Sequence, residues 1–249
     1  MTSHQPSTAA RVAIVTGGSG GIGRDVCLRL AADGMAVVVH YGTDLDAATD
    51  VVAQITAAGG TAVSHGADIA DEHQVGTVFD EAERRYGGVD VVVHTAGIML
   101  LAPLTSLSLD DLDRMHRSNV RGTFVVDQQA ARRLRRGGAL INFSSSVVKI
   151  ALPSYTGYAA TKGAVDAITL ILAKELRGHD VTVNAVAPGP TATPLFLDGK
   201  DPEVVRQLAD AAPLERLGEP SDIAELVAFL AGPARWINGQ VLYANGGVI

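Results

Sequence analysis

Short apolar runs alternate with longer amphipathic stretches along almost the whole chain. The runs are apolar at consecutive positions, which is typical of strands buried on both faces. We expect strands at 11–17, 36–41, 61–68, 90–97, 138–145, 181–189 and 239–247. Strands of this kind separated by helices predict an α/β protein whose parallel sheet is covered by helices on both sides.

The stretches between these runs carry the helical pattern. We expect helices at 22–33, 44–58, 71–86, 109–136, 155–178, 201–211 and 221–231. No internal repeat, linker or change in composition divides the chain. The sequence therefore predicts one domain over 11–249, preceded by a flexible tail at 1–10.

Composition and charge disfavour several classes of protein. Hydrophobic residues make up 47% of the 249 residues, enough for a large core, and the net charge of −7 disfavours binding to nucleic acid. No apolar run approaches the roughly 18 residues of a membrane span, and 1–10 lacks the pattern of a signal peptide. Cys27, the only cysteine, leaves no intrachain disulfide and is expected to pack inside a helix. We expect a cytoplasmic protein without a metal, since the histidines show no ligand spacing.

A glycine-rich turn joins the first expected strand to the first expected helix. It reads TGGSGGIG from Thr16 to Gly23. Glycines let backbone N–H groups approach a pyrophosphate, and a helix N-terminus adds partial positive charge. A flexible loop is the alternative for such a cluster taken alone. Its place between a strand and a helix favours a dinucleotide site. The residues expected there are Gly17, Ser19, Gly20, Gly21, Ile22 and Gly23.

The spacing TGxxxGIG resembles the turn of the short-chain dehydrogenase/reductase family. The resemblance runs from about Arg11 to the C-terminus, with five motifs in the family's order. It implies a Rossmann-type, doubly wound sheet of seven mostly parallel strands and a nicotinamide cofactor. It also implies a small carbonyl or alcohol substrate and a homo-oligomer, either a tetramer or a dimer.

Tyr158 and Lys162 stand four positions apart in YAATK, on one face of an expected helix. A free phenol has a pKa near ~10, and a nearby ammonium lowers it toward the range useful for proton transfer. YxxxK taken alone is common and usually has no function. The resemblance implies that Tyr158 is the general acid or base, and that Lys162 lowers its pKa and binds the cofactor ribose.

Two further candidates complete the catalytic set. A serine hydroxyl at the end of the fifth strand can hydrogen-bond the substrate oxygen. Ser145 follows NFS as the family serine follows NxS, and Ser146 is the alternative because VV follows it as in some relatives. Asn119, in SNVRGTF, matches the family asparagine that holds a water and starts a proton relay. An exposed polar residue is the alternative for Asn119.

The end of the second expected strand bears on the choice of cofactor. Dinucleotide folds often place an acid there to bind the ribose 2′-hydroxyl, whereas this chain has Tyr41. Without that carboxylate a 2′-phosphate is not repelled, which favours NADP(H) over NAD(H). No arginine or lysine stands at Tyr41 or before Gly21 to pair with the phosphate.

The resemblance implies further cofactor contacts. Asp68 and Ile69 end the third strand, where the family acid contacts adenine, and a helix N-cap is the alternative for Asp68. HTAG at 94–97 replaces both asparagines of the family's NNAG and retains Ala96 and Gly97. PGPTAT matches the family's PGxxxT, whose threonine binds the nicotinamide carboxamide. The residues implied in this motif are Pro188, Gly189, Thr191 and Thr193.

Three other segments have expected roles. Residues 194–214 would cover the substrate, with Gly199 and Pro202 as hinges, and an apolar triplet at 195–197 favours a partly apolar substrate. The basic run at 132–136 is expected to be a solvated helix end. Trp236 and Tyr243 are expected to be packing or subunit contacts.

Within the family, the sequence most resembles 3-oxoacyl-carrier-protein reductases and related sugar or ketone reductases. We therefore expect an NADPH-dependent reductase of ketones or 3-oxoacyl groups. The alternatives are a sugar or polyol dehydrogenase, an epimerase or dehydratase, and a non-catalytic nucleotide sensor or scaffold on the same fold.

Overall fold

A computed structural model describes residues 10–249 of the chain. The expected flexible tail at 1–10 lies outside the described residues except for Ala10. Seven strands form one sheet in the order β3-β2-β1-β4-β5-β6-β7, and all neighbours are parallel. The strands are β1 (Val12–Thr16), β2 (Ala36–Tyr41), β3 (Thr61–Gly66), β4 (Val89–His94), β5 (Leu134–Phe143), β6 (Thr182–Pro188) and β7 (Val241–Ala244).

Helices cover both faces of this sheet, which confirms the Rossmann-type, doubly wound prediction. One layer contains α1, α2 and α10, and the other contains α3, α5 and α7. The helices are α1 (Gly21–Ala32), α2 (Leu45–Ala57), α3 (Glu72–Tyr86), α4 (Leu109–Met115), a π-helix (His116–Arg121), α5 (Gly122–Arg133), α6 (Val147–Ile150), α7 (Thr156–Glu175), α8 (Pro194–Leu197), α9 (Pro202–Asp210) and α10 (Pro220–Ala231).

Strand β1 shows why the apolar runs are continuous. All five of its residues are buried. Ile14 packs in the layer of α3 and α5, whereas Val15 packs in the layer of α1 and α10. Since successive side chains of a strand point to opposite faces, covering both faces favours apolar residues at consecutive positions, as at 12–15 of β1.

The long helix expected at 109–136 is confirmed over 109–133, where helical structure runs without a break, but its interior and its end differ from the prediction. Two α-helices flank the π-helix, and β5 begins at Leu134 instead of 138. Leu134 pairs with Val89, and the ladder shifts before Val91, so the start of β5 is irregular and lacks a clear strand pattern. A π-helix is rare and is set by tertiary contacts, so sequence propensity alone does not indicate it.

The basic run at 132–136 straddles the end of α5 and the start of β5. Arg133 pairs with Asp80 and Glu83 of α3, and Arg135 pairs with Asp90. The expected solvated helix end is therefore wrong for these two arginines, which tie neighbouring elements together.

Trp236 is fully exposed, so the expectation that it packs within the chain is wrong. A subunit contact at Trp236 stays a prediction. No helix within residues 10–249 is long and apolar enough to cross a bilayer.

The strand order creates a crevice in which a ligand can bind, beside β1. The chain crosses from β3, on one side of β1, to β4 on the other side. Ligands in open α/β sheets bind at this kind of switch point, beyond the carboxyl ends of the strands. The glycine turn after β1 and the HTAG segment at the end of β4 meet there, since a Cβ at Gly17 would lie 3.0 Å from the Cα of Ala96.

Candidate active site

The glycine turn requires its glycines for steric reasons. A Cβ at Gly23 would lie 2.2 Å from the carbonyl oxygen of Gly17, which is far inside contact distance. Gly17 itself has φ +66°, a conformation that side chains disfavour. The first turn of α1 therefore packs directly on the backbone that precedes it.

The N-terminus of α1 fits a pyrophosphate. Gly20 is its N-cap and supplies no side-chain hydrogen bond, and the first turn has no acidic residue. The N–H groups of this turn are therefore available to an anion, and the helix dipole favours one. Below the turn Cys27 is buried, as expected, and burial raises the pKa of its thiol.

His40 supports the glycine turn from below, a role that the sequence analysis missed. The backbone N–H of Gly17 donates to His40 Nδ1 at 3.2 Å, and Nε2 lies 2.9 Å from the carbonyl of Ala67. Burial lowers the pKa of His40 to about 4, so the ring is neutral and Nε2 donates to Ala67. The available signal was a histidine in an otherwise apolar strand, AVVVHY.

His94 and Thr95 stand where the family has asparagines, and they join β4 to β1. His94 Nδ1 is 2.8 Å from the Thr16 hydroxyl, and the Thr95 hydroxyl donates to the Thr16 carbonyl at 2.5 Å. The backbone N–H of Ala96 also donates to the Thr16 hydroxyl. Burial lowers the pKa of His94 to about 3 and keeps the ring neutral. These hydrogen bonds to Thr16 thus connect β4 to β1 beside the crevice without the asparagine amides of the family's NNAG motif.

Tyr158 and Lys162 lie near the start of α7 and face the crevice together. The Lys162 Nζ lies 5.7 Å from the centre of the Tyr158 ring and donates to the carbonyl of Phe143 at 2.7 Å. Burial lowers the pKa of Lys162 to about 8, and Asp166, one turn further along α7, opposes that shift. The buried ammonium of Lys162 therefore loses its proton as the pH rises through about 8.

The apolar surroundings raise the pKa of the Tyr158 phenol above its usual value. The Ser145 hydroxyl acts in the opposite direction, whereas Tyr155 adds to the rise. Burial dominates this shift, and the Lys162 ammonium is directed to the carbonyl of Phe143. A lowering of the Tyr158 pKa by Lys162 stays a prediction.

The serines of the β5–α6 segment are in different environments. Ser146 is buried, donates to the carbonyl of Ala187 at 3.0 Å and accepts from Asn245 Nδ2 at 3.2 Å. Ser145 lies beside the Tyr158 phenol and accepts only a 3.3 Å bond from the N–H of Val147. Both serines line the cleft, and Ser145 is the one whose hydroxyl acts on Tyr158 and has fewer bonds of its own.

Asn119 lies in the π-helix and is buried, so the exposed-residue alternative is wrong. Its Oδ1 accepts from the N–H of Ile98 at 2.9 Å, and its Nδ2 donates to the Ile98 carbonyl and to the Thr161 hydroxyl. Asn119 thus connects the segment after β4 to α7, next to Lys162. Its part in a proton relay stays a prediction.

The PGPTAT segment closes the cleft from the β6 side. The N–H of Ser146 donates to the carbonyl of Pro188, and the N–H of Gly189 donates to that of Ala244. Thr193 is buried and caps α8, and a Cβ at Gly21 would lie 3.5 Å from its methyl group. Thr193 therefore lies opposite the glycine turn, where the expected carboxamide contact would have to be made.

Tyr41, Asp68 and Ile69 lie at the ends of β2 and β3, away from Tyr158. Asp68 forms a two-point ion pair with Arg117, which lowers the pKa of Asp68. The N-cap alternative for Asp68 is wrong, because Asp71 caps α3. The ring of Tyr41 fills the space above Gly66, and the side chain of Ile69 packs on Gly122. An adenosine contact of these residues stays a prediction.

One cleft combines the central residues with apolar side chains, of which the sequence analysis identified only those in the segment 194–214. Of the predicted site residues it contains Ile22, Gly97, Ser145, Tyr158, Lys162, Pro188, Gly189, Thr191 and Thr193. Its apolar walls add Met99, Val147, Ile150, Leu152, Tyr155, Leu195, Phe196 and Leu208. No cluster of metal-ligating side chains occurs within residues 10–249.

Comparison with known proteins identifies the family. The family model described as enoyl-(acyl carrier protein) reductase matches residues 17–249. A short-chain type dehydrogenase/reductase of Picea abies is 42% identical over 250 residues, covering 96% of this chain and 92% of the relative. The chain is a short-chain dehydrogenase/reductase. This family membership confirms the resemblance of the motifs.

Two further comparisons concern the cofactor. A protein of Arabidopsis thaliana named NADPH-dependent aldehyde reductase 2, chloroplastic, is 42% identical over 257 residues, covering 97% of this chain and 94% of the relative. A short chain dehydrogenase from Burkholderia cenocepacia J2315, solved in complex with NADP, matches with a TM-score of 0.90 at 38% identity, over 96% of this chain and 98% of that chain. This short-chain dehydrogenase/reductase is an NAD(P)-dependent oxidoreductase. The expected cytoplasmic location stays a prediction.

Proposed function

We propose that this short-chain dehydrogenase/reductase is an NADPH-dependent reductase that converts a ketone or aldehyde to an alcohol. The observation that carries the proposal is the convergence of Ser145, Tyr158 and Lys162 on one cleft that also contains Ile22 of the glycine turn. A phenol, a hydroxyl and an ammonium at the end of a dinucleotide crevice suit proton transfer to a carbonyl oxygen.

Each residue has a defined task in this proposal. The cofactor would be held by the glycine turn, Lys162 and Thr193, and it supplies hydride to the carbonyl carbon. Ser145 hydrogen-bonds the carbonyl oxygen, and Tyr158 gives that oxygen its proton. Lys162 holds ribose hydroxyls and favours the phenolate that Tyr158 leaves behind. Asn119 holds the water of a proton relay that passes through Lys162 and returns a proton to Tyr158.

Two observations support NADPH over NADH. Tyr41 ends β2 where NAD-binding folds often have an acid, so a 2′-phosphate meets no carboxylate at that position. The Burkholderia structure was solved with NADP, and the Arabidopsis relative is named for NADPH. We expect kcat/KM for NADPH to exceed that for NADH, and the opposite ranking would contradict the preference.

The test is an NADPH oxidation assay with a panel of ketones, aldehydes, β-ketoacyl thioesters and sugars, with Tyr158→Phe as the control. Removal of the phenolic proton should lower kcat by at least about 10²-fold while NADPH affinity stays within a few-fold. Turnover close to wild type in the variant would reject Tyr158 as the acid. NADPH binding without turnover of any carbonyl would instead favour a non-catalytic sensor.

A further inference from the structure

The walls of the cleft beyond the catalytic residues are apolar and come from two separate segments. One wall is formed between β5 and α7 by Val147, Ile150, Leu152 and Tyr155. The other is formed by Leu195 and Phe196 of α8, together with Leu208 of α9. The substrate is therefore held between two apolar surfaces, with the reacting residues at one end.

Charge is confined to the reacting end. Lys162 is the only charged side chain lining the cleft among the described residues, and its ammonium already donates to the carbonyl of Phe143. Away from Lys162, a charged group on the substrate would lose water without gaining an ionic partner among the lining side chains, which is costly. The walls thus disfavour carboxylates and phosphates at any position that lies inside the cleft.

Each wall also presents an aromatic ring. Tyr155 lies edge-to-face against Tyr158, with ring centres 6.5 Å apart and planes at 68°. Its hydroxyl has no hydrogen-bond partner among residues 10–249, and the side chain is partly exposed to the cleft. On the other wall, the Lys200 ammonium lies 4.4 Å from the centre of the Phe196 ring and donates to the Phe196 carbonyl, which fixes that ring. Fixed aromatic rings favour a flat ring as partner.

We propose that the substrate is an uncharged aryl ketone or aryl aldehyde, and that the Tyr155 ring is a specificity-determining contact for its aromatic group. The inference rests on the proposed reductase function and adds the substrate class to it. Stacking or edge contacts between aromatic rings contribute roughly 0.5–1.5 kcal/mol beyond area burial. By this measure the Tyr155 ring should change the preference for an aryl substrate by about fivefold.

The test compares acetophenone with cyclohexyl methyl ketone, which have similar size but differ in the flatness of the ring. Intrinsic reactivity of the two ketones is the same for every enzyme variant, so the informative quantity is the change in the ratio of their kcat/KM values. We expect the aryl-to-alkyl ratio to fall about fivefold in Tyr155→Leu. We expect it to stay within about twofold of wild type in Tyr155→Phe, which keeps the ring.

Two results would overturn the inference. One is an unchanged ratio in Tyr155→Leu, and the other is an equal fall in Tyr155→Phe, which would assign the effect to the hydroxyl. Thermal unfolding and NADPH affinity check that the variants fold. In a second variant, Phe196→Leu, we also expect the aryl-to-alkyl ratio of kcat/KM to fall. If Tyr155→Leu does not fold, the ratio in Phe196→Leu decides.

A second comparison tests charge. 4-Acetylbenzoate and its methyl ester differ by one negative charge on the same aryl ketone. We expect kcat/KM for the ester to be at least about tenfold higher, since the apolar walls offer the carboxylate no charged partner. Equal values would contradict an uncharged substrate. Reduction of neither ketone nor any other carbonyl of the panel would refute the proposed function itself, whereas reduction of aliphatic substrates with an unchanged ratio refutes the aryl preference alone.

Discussion

Lys162 and Tyr158 are one turn apart on α7, and the Lys162 ammonium lies 5.7 Å from the centre of the Tyr158 ring while donating to the carbonyl of Phe143. The ammonium is therefore held beside the phenol by a backbone group of β5. Burial brings the pKa of the lysine down to about 8 and moves that of the phenol up. These opposite shifts give the site a definite pH dependence.

We expect kcat/KM for carbonyl reduction to fall as the pH rises through about 8. A lysine with a lowered pKa loses its positive charge in that range, and the phenolate left by proton transfer is then less stabilised. The pKa of Tyr158 is raised, so its own ionisation does not produce the fall. The check is kcat/KM between pH 6 and pH 10, since this ratio reports on the free enzyme.

Lys162→Met is the matched variant for this profile. We expect it to lower kcat/KM by about 10²-fold and to remove the fall near pH 8. A fall at the same pH in the variant would show that another group titrates there.

Ser145→Ala should lower catalytic activity, whereas Ser146→Ala should lower the stability of the fold. We expect Ser145→Ala to lower kcat by about 10²-fold with little change in Tm, because its hydroxyl faces Tyr158. Ser146→Ala loses bonds to Ala187 and Asn245, and should reduce the free energy of unfolding by about 1 kcal/mol. Kinetics and thermal unfolding of both variants provide the measurement, and a larger loss of kcat in Ser146→Ala would contradict our assignment.

Gly23→Ala should damage the dinucleotide site. The added Cβ would lie 2.2 Å from the carbonyl oxygen of Gly17, so α1 must move away from the turn. We expect at least a tenfold weaker Kd for NADPH, roughly the effect of losing one good hydrogen bond to a charged group, together with a lower Tm. Gly20→Ala is the control for folding: a Cβ there meets no protein atom within 4 Å, so its Tm should stay unchanged. An unchanged Kd in Gly23→Ala would refute the close packing of α1 on the turn.

Asp127 should make the folded protein less stable as the pH rises, which is opposite to the effect of a carboxyl group whose pKa is lowered by folding. This carboxyl is buried on α5, accepts a 2.9 Å bond from Asn142 Nδ2, and has its pKa raised to about 7 by burial. Because the folded state holds this proton more tightly than the unfolded state, the contribution of Asp127 to stability is largest at low pH. It is lost progressively as the pH rises from about 4 to about 7.

The isosteric variant Asp127→Asn isolates this effect from other titrating groups. We expect the stability of the variant relative to wild type to rise by about 2 kcal/mol between pH 5 and pH 8. Urea unfolding at the two pH values measures the difference. A relative stability that does not change with pH would show that Asp127 has an ordinary pKa.

Residues at a fixed spacing in the chain were predictable because their geometry is local. Tyr158 and Lys162 share a helical face at a separation of four, and Gly23 admits no Cβ because the carbonyl oxygen of Gly17, six residues earlier, is too close. The two-faced burial of β1 likewise follows from its continuous apolar run. In each case the deciding interaction lies within one or two neighbouring elements.

The π-helix and the start of β5 were not predictable in this way. Asn119 is held in the π-helix by Ile98 and Thr161, which lie on other elements. Leu134 joins the sheet by pairing with Val89 across an irregular ladder. Neither contact leaves a local pattern, so propensity predicted a regular α-helix to 136 and indicated neither its π-helical segment nor its earlier end.

The amino-acid sequence by itself determined that this chain forms a parallel sheet covered by helices on both faces, with a glycine turn at its first helix, because apolar periodicity and steric limits act over short distances. Only the tertiary structure decided that Ser145 instead of Ser146 faces Tyr158, that His40 supports the turn, and that Asp127 is a buried acid. These properties depend on atoms contributed by segments far apart in the chain, and burial and hydrogen bonding arise only when folding brings those segments together.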